Sequence, residues 1–243
     1  MIYITGDTHG IYDRFDENKM GDSDWNENDV LIICGDFGFI WWGDDYPDKK
    51  QEDNKVLDLL SKKPYQILWI DGNHENFNEL YKYPLVDKFG GKAHKIRENI
   101  YHLERGYVFE IQGKTFFTFG GAYSVDRGSR IKGYSWWHQE KPSKEEYQRG
   151  KTALESVKRV DYIITHTAPF CAVDKLKYLI PYSERKDFYI DLHDYDLLSY
   201  FEELTTLFEF GHWYFGHWHK DKKIDERFTA VYEKVYAIKG EKE

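Results

Sequence analysis

Short apolar runs that break at glycine and hand over to acidic, amide or imidazole side chains recur along the chain and set its predicted elements. Ile2-Tyr3-Ile4-Thr5 is β-rich and stops at Gly6, after which come Asp7, Thr8 and His9. Val30-Leu31-Ile32-Ile33-Cys34 is continuously apolar, the pattern of a strand buried on both faces, and ends in Gly35-Asp36. Residues 65–70 repeat the form and deliver Asp71, Gly72, Asn73, His74 and Glu75. Residues 161–165 lead into His166, and residues 212–215 into Gly216-His217-Trp218-His219.

Helical spacing appears between these runs. Val56, Leu57, Leu59 and Leu60 mark the buried side of a helix over 48–62, with Pro64 beyond its end. Ser143 followed by Glu146 is a capping box that opens a helix to about Lys158. Tyr195, Leu198, Phe201, Leu204 and Phe208 predict another. Two β-rich runs, Tyr107–Ile111 and Lys114–Phe119, flank Gln112-Gly113 and predict a hairpin. Residues 228–232 and 235–238 predict a closing pair of strands, residues 76–99 only a short helix, and the charged tail 239–243 a frayed end. Residues 37–43 form an aromatic loop, either the lip of a cleft or a plug over the core, and a second long loop follows residue 119. No repeat or linker divides the 243 residues, so one domain, 1–243, is expected.

Composition narrows the partners. A formal net charge of −9 argues against a long duplex nucleic acid, which is bound by basic patches. The 8 Trp, 20 Tyr and 16 Phe exceed the needs of a core this size, so some rings are expected to line a cleft. Cys34 and Cys171 lack CxxC spacing and are expected to be buried free thiols in a reducing compartment. No run approaches the ~18 apolar residues of a membrane span and the first residues lack a signal-peptide layout, so a cytoplasmic protein with no membrane partner is expected.

Five strand ends thus carry metal-ligand chemistry: Asp7 and His9, Asp36, Asn73 and His74, His166, and His217 and His219. In α/β sheets ligands bind outside the carboxyl ends of strands, which lets distant segments converge on one crevice. Oxygen and imidazole donors without thiolate suit Mn, Fe or Zn, and the number of donors exceeds what one tetrahedral ion takes. Two ions sharing a carboxylate fit better.

The ordered motifs Gly6-Asp7-Thr8-His9-Gly10, Gly35-Asp36-Phe37-Gly38, Gly72-Asn73-His74-Glu75, Thr165-His166 and Gly216-His217-Trp218-His219 resemble the calcineurin-like metallophosphoesterase superfamily over residues 6–219. The resemblance implies a four-layer αββα sandwich, with two mixed β-sheets flanked by helices and a dinuclear metal site at the strand ends. It also implies two divalent ions, Mn first, with Fe, Zn or Ni as alternatives. Asp7, His9 and His219 would hold one ion, Asn73, His166 and His217 the other, and Asp36 would bridge them. Catalysis would rest on Asp36 and on His74, which would not be a ligand. A hydroxide held by the metals would attack phosphorus in line while His74 stabilises the phosphoryl group or protonates the leaving oxygen.

Departures from the family pattern bear on substrate. Phosphoprotein phosphatases of the superfamily place Asp-Arg-Gly soon after the bridging aspartate, whereas Asp36 is followed by Phe-Gly-Phe-Ile-Trp-Trp. The Asp126-Arg127-Gly128 string lies far downstream. The expected substrate is therefore a phosphomonoester or phosphodiester of a nucleotide or other small molecule, with a protein phosphatase, a nuclease and a metal-free binding scaffold as alternatives. Arg127 and Arg130 are candidates to grip a phosphate with forked hydrogen bonds. Trp41 and Trp42, with Trp136 and Trp137, are candidates to stack on a nucleobase or on one another, and His138 is a candidate to line the site. His94, His102, His193 and His212 are expected to be structural. Either Asp71 or Glu75 would orient His74.

Overall fold

The computed structural model describes residues 1–187 and 192–238. The first half contributes β1 (Ile2–Thr5), β2 (Val30–Ile33), β3 (Gln66–Trp69), β4 (Leu85–Lys88), β5 (Gly91–Arg97) and β6 (Ile100–Leu103). The second contributes β7 (Tyr107–Ile111), β8 (Lys114–Phe119), β9 (Arg159–Thr165), β10 (Glu209–Phe215), β11 (Lys222–Lys223), β12 (Phe228–Ala230) and β13 (Tyr236–Ile238). The α-helices are α1 (Glu17–Met20), α2 (Pro47–Leu60), α3 (Phe77–Leu80), α4 (Lys144–Val157), α5 (Phe170–Leu179) and α6 (Tyr195–Leu207).

Two sheets result, ordered β13-β1-β2-β3-β6-β5-β4 and β11-β12-β10-β9-β8-β7. Alternation along the strands explains how they stack. Val30 and Ile32 of β2 join Ile4, Leu68, Phe109, Phe116 and Ile164 in the layer between the sheets. Leu31 and Ile33, one residue out of phase, pack outward with Leu57 and Leu60 of α2 and with Trp69 and Phe37. On the far side, Phe117, Phe119, Ile163, Trp213 and Phe215 pack against Leu154, Leu176, Leu197 and Phe201 of α4, α5 and α6. The order of layers is helix, sheet, sheet, helix, as the resemblance implies.

The capping box forms: Ser143 Oγ accepts from Glu146 N–H at 3.2 Å, and Glu146 Oε2 accepts from Ser143 N–H at 2.6 Å. Ser143→Ala is expected to lower stability by about 1 kcal/mol, read as an earlier urea midpoint.

Three expectations are corrected and one left open is decided. Residues 85–103 hold three strands rather than irregular chain, β4 at the sheet edge and β5 and β6 inside it, and charged and imidazole residues interrupt any continuous apolar run along them. The supposed closing pair is split. β12 runs parallel to β10 in one sheet, while β13 pairs antiparallel with β1 in the other. The helix α5 was not predicted, and Cys171 within it is half-exposed rather than buried. In the loop 37–43, Phe37, Phe39 and Ile40 are buried in the core, so that part is a plug. The tail 239–243, expected to fray, lies outside the described residues.

Candidate metal centre and active site

β1, β2 and β3 run parallel, with Thr5, Ile33 and Trp69 in register at their carboxyl ends. β8, β9 and β10 do the same with Phe119, Thr165 and Phe215. The residues that follow these ends are therefore brought to one edge of the sandwich. Backbone hydrogen bonds lace two of the turns together: Thr8 and His9 N–H donate to Asp36 C=O at 3.1 and 2.7 Å, and Gly10 N–H to Phe37 C=O at 2.9 Å.

The seven candidate ligands meet there as two groups. In one, His9 Nε2 stands 2.9 Å from His219 Nε2, and His219 Nε2 stands 3.1 Å from Asp7 Oδ2. In the other, Asn73 Oδ1 lies 3.0 Å from His166 Nε2 and 3.1 Å from His217 Nδ1. Asp36 lies between them, with Oδ2 3.7 Å from His9 Nε2 and Oδ1 3.4 Å from His166 Nε2. One carboxylate oxygen thus faces each group, the arrangement a bridging ligand requires.

The surrounding chain is shaped to let these atoms approach. A side-chain carbon at Gly35 would overlap His166 Nδ1, and one at Gly72 would overlap Asp36 Oδ1. His9, Asp36, His217 and His219 all hold positive φ, between 49° and 66°, which costs a non-glycine residue on the order of 1 kcal/mol or more. Such strain persists where surrounding contacts over-determine the turn. Those contacts are present: His166 Nδ1 donates to Cys34 C=O at 2.8 Å, His217 N–H donates to Asp7 Oδ2 at 2.9 Å, and Asn73 Nδ2 donates to Ser124 Oγ at 3.1 Å. Arg14, also buried, donates to Asp7 C=O at 2.9 Å and holds the first turn from behind.

Electrostatics follow from two carboxylates, each 1% exposed, inside a shell of imidazoles. Burial works to raise the pKa of Asp36, yet His166, His74 and His9 hold its carboxyl well below the usual range. Asp7 is lowered too, with burial outweighed by its hydrogen bond to His219 and the charge of His166. Burial disfavours a charged His166, but Asp36 and Asp7 push it up to about 10, whereas burial and the charge on His166 push His217 down to about 3. Two buried carboxylates face one strongly raised imidazole, an excess of negative charge that a cation beside them would offset.

His74 flanks this cluster. Its N–H donates to Asp36 Oδ1 at 2.8 Å, and its ring lies 3.1 and 3.2 Å, at Nδ1 and Nε2, from a guanidinium nitrogen of Arg130. Arg130 is itself fixed by Asp126 Oδ2 at 2.7 Å and Ser135 C=O at 3.1 Å. Neither carboxylate expected to orient His74 is turned toward its ring. Asp71 pairs with Arg105 and His102, and Glu75, whose pKa is raised well above normal by burial and the nearby Asp36 charge, accepts from Phe37 N–H at 2.8 Å.

The other candidates are placed apart from the ligands. Arg127 is engaged by Glu140 at 2.9 Å and lies over the rings of Tyr123 and Trp136. Trp41 packs edge-on against buried Trp137, and Trp42 against Tyr46 and Tyr134, so the two aromatic loops pack on one another. His138 lines a second cleft with His94 and Glu104. The cleft of about 510 Å³ over the ligands is walled instead by Tyr123, Val125, Asp126, Trp218 and Lys220. Trp218 was legible as the middle of a His-x-His pair, and Tyr123 as a residue just past a sixth strand end, that of β8, where no ligand motif drew attention.

Carboxylate, imidazole and amide oxygen donors, paired groups, and glycines where a Cβ would fill the cradle all fit two divalent cations. Three groups of His, Cys, Asp or Glu among the described residues have donor atoms within 4.8 Å of one another, and two of them, Asp7–His9–His219 and Asp7–Asp36–His166, lie here. No helix among the described residues is long and apolar enough to cross a membrane. Comparison with curated proteins and with solved structures gave no match. The family described as calcineurin-like phosphoesterase matches residues 1–221. With a match over nine-tenths of its length and ligand motifs converging on one cleft, the chain belongs to the calcineurin-like phosphoesterases and is a hydrolase acting on phosphate esters.

Proposed function

We propose that the chain, acting as a single domain in the reducing cytoplasm, hydrolyses a small phosphate ester, a nucleotide or comparable metabolite, in the cleft over Asp36 and His74. The convergence of seven donor side chains beside His74 carries this reading. Asp7, His9 and His219 would hold one divalent cation, Asn73, His166 and His217 a second, and Asp36 both, with Mn the first candidate. Bound there, the pair supplies charge neutralisation for the phosphoryl oxygens and acidifies water at neutral pH.

The protein's own groups do the rest. Arg130 stands within 3.2 Å of both ring nitrogens of His74, and burial with this neighbouring charge lowers the His74 pKa, so a neutral ring carries one proton that it can offer to the leaving oxygen. Arg130, held by Asp126 and Ser135, offers its outer nitrogen to the phosphoryl group. Tyr123, braced by Arg127 and stacked on His193, and Trp218 provide apolar walls for the ester's organic part. A cleft of this size on a chain of net charge −9 suits a small molecule better than a duplex.

Arg130→Ala is expected to lower kcat/KM for a chromogenic ester about 10- to 100-fold, the worth of a hydrogen bond to a charged group. Arg130→Lys, which keeps the charge without the fork, is expected to recover only part of that loss. The substrate reading is tested by assaying a chromogenic monoester, a chromogenic diester and a nucleotide panel side by side with Mn. Highest kcat/KM on a small ester or nucleotide supports it. Preference for a phosphoprotein, or for DNA or RNA with steep salt dependence, overturns it.

A further inference from the structure

The third donor group, His94, His102 and Glu104, shares no residue with the phosphoesterase ligands and arises from strand geometry. His94 of β5 is the direct antiparallel partner of His102 of β6. Glu104 follows His102 by two residues, its N–H donating to Lys92 C=O at 3.0 Å, so it continues the pairing on the same face. Partnered positions across two strands thereby gather two imidazoles and a carboxylate.

The second nitrogen of each imidazole is already assigned. His94 Nδ1 lies 2.9 Å from Tyr83 C=O, which only accepts, so Nδ1 donates there, while Nε2 donates to the Glu104 carboxylate at 3.0 Å, a proton that an incoming cation would replace. His102 Nε2 lies 3.2 Å from the carboxylate of Asp71, which leaves Nδ1 as the nitrogen with a free lone pair. His102 is 1% exposed and its Nδ1 has no hydrogen-bond partner. A buried ring nitrogen left unpaired is costly, and a carbonyl or carboxylate on the far nitrogen is how metal-binding histidines are oriented. Glu104 presents Oε1 to His94, while Arg149 stands 3.5 Å from its Oε2. His94 and Glu104 line a cleft of about 530 Å³ with His138, which gives an ion a route in and space for a water ligand, while His102 lies buried behind them.

We propose that His94, His102 and Glu104 form a separate site for one zinc-class divalent cation, which clips β5 to β6 and, through His102 and Asp71, braces the end of β3. Two donors on one tetrahedral zinc stand about 3.4 Å apart at normal bond lengths, close to the His94–Glu104 separation, so little movement is needed to take the ion. The site shares no donor with the phosphoesterase cleft.

Equilibrium dialysis against Zn²⁺, followed by elemental analysis, tests it. The wild-type chain is expected to retain one more zinc per molecule than Glu104→Gln or His102→Gln. Glu104 is only half-buried, so its variant keeps the test open if loss of His102 disturbs folding. Equal zinc content in the wild type and Glu104→Gln overturns the proposal.

Discussion

Asp36→Asn is expected to reduce Mn-dependent turnover of a chromogenic phosphate ester by about a thousandfold, equivalent to about 4 kcal/mol of lost transition-state stabilisation. The substitution changes little else. Asparagine has the same shape, and its carbonyl oxygen can still accept the His74 N–H that Asp36 Oδ1 accepts at 2.8 Å. What disappears is the charge shared between the two ligand groups, His9 on one side and His166 on the other. On the proposed ligand set, neither cation position would then keep its full donors, and the two would no longer be coupled. Steady-state kinetics with a thermal melt as a folding control checks this; undiminished turnover in a folded variant would remove Asp36 from the centre of the mechanism.

Arg105→Ala is expected to destabilise the fold by about 3 to 5 kcal/mol, the cost of leaving one member of a buried pair alone. Arg105 and Asp71 are 2% and 1% exposed, and the guanidinium also donates to Gln139 C=O at 2.6 Å. Burial works to raise the Asp71 pKa, but the charge of Arg105 and the hydrogen bond from His102 bring it to about 2. A carboxyl lowered on folding stabilises the protein fully above its ordinary value near 4 and loses that contribution as pH falls through about 2. The window for this loss is therefore pH 4 to 2, with about 2 kcal/mol at stake. Denaturant titrations of the wild type at pH 6 and pH 3 should show the fall, and Asp71→Asn should flatten it. An Arg105→Ala midpoint equal to the wild type would contradict the assignment.

The sequence revealed the structural elements with clear apolar patterns and obscured those without them. β2 is buried on both faces and reads as an unbroken apolar run, so its end at Asp36 was plain. β4 and β5 lie toward a sheet edge, where Leu85, Asp87, Lys92 and Lys95 interrupt the pattern with exposed or charged positions. The short strand β12 was visible, but which sheet it joins depends on long-range pairing with β10 that no local signal encodes. At the site, every candidate ligand followed a legible strand end, and three of the turns carry a glycine, Gly35, Gly72 and Gly216, where a side chain would collide with a neighbouring ligand. The long loop between β8 and α4 carries no periodicity, so the division of labour between its arginines, Arg127 bracing Tyr123 and Arg130 meeting His74, depends on tertiary contacts alone.

Turnover of a chromogenic phosphate ester by metal-stripped protein, titrated with Mn²⁺, tests the central claim most directly. The account predicts negligible activity in the stripped protein and saturable recovery with Mn²⁺ in the wild type, with no comparable recovery in Asp36→Asn. Full activity that survives chelation, or equal recovery in the variant, would contradict it.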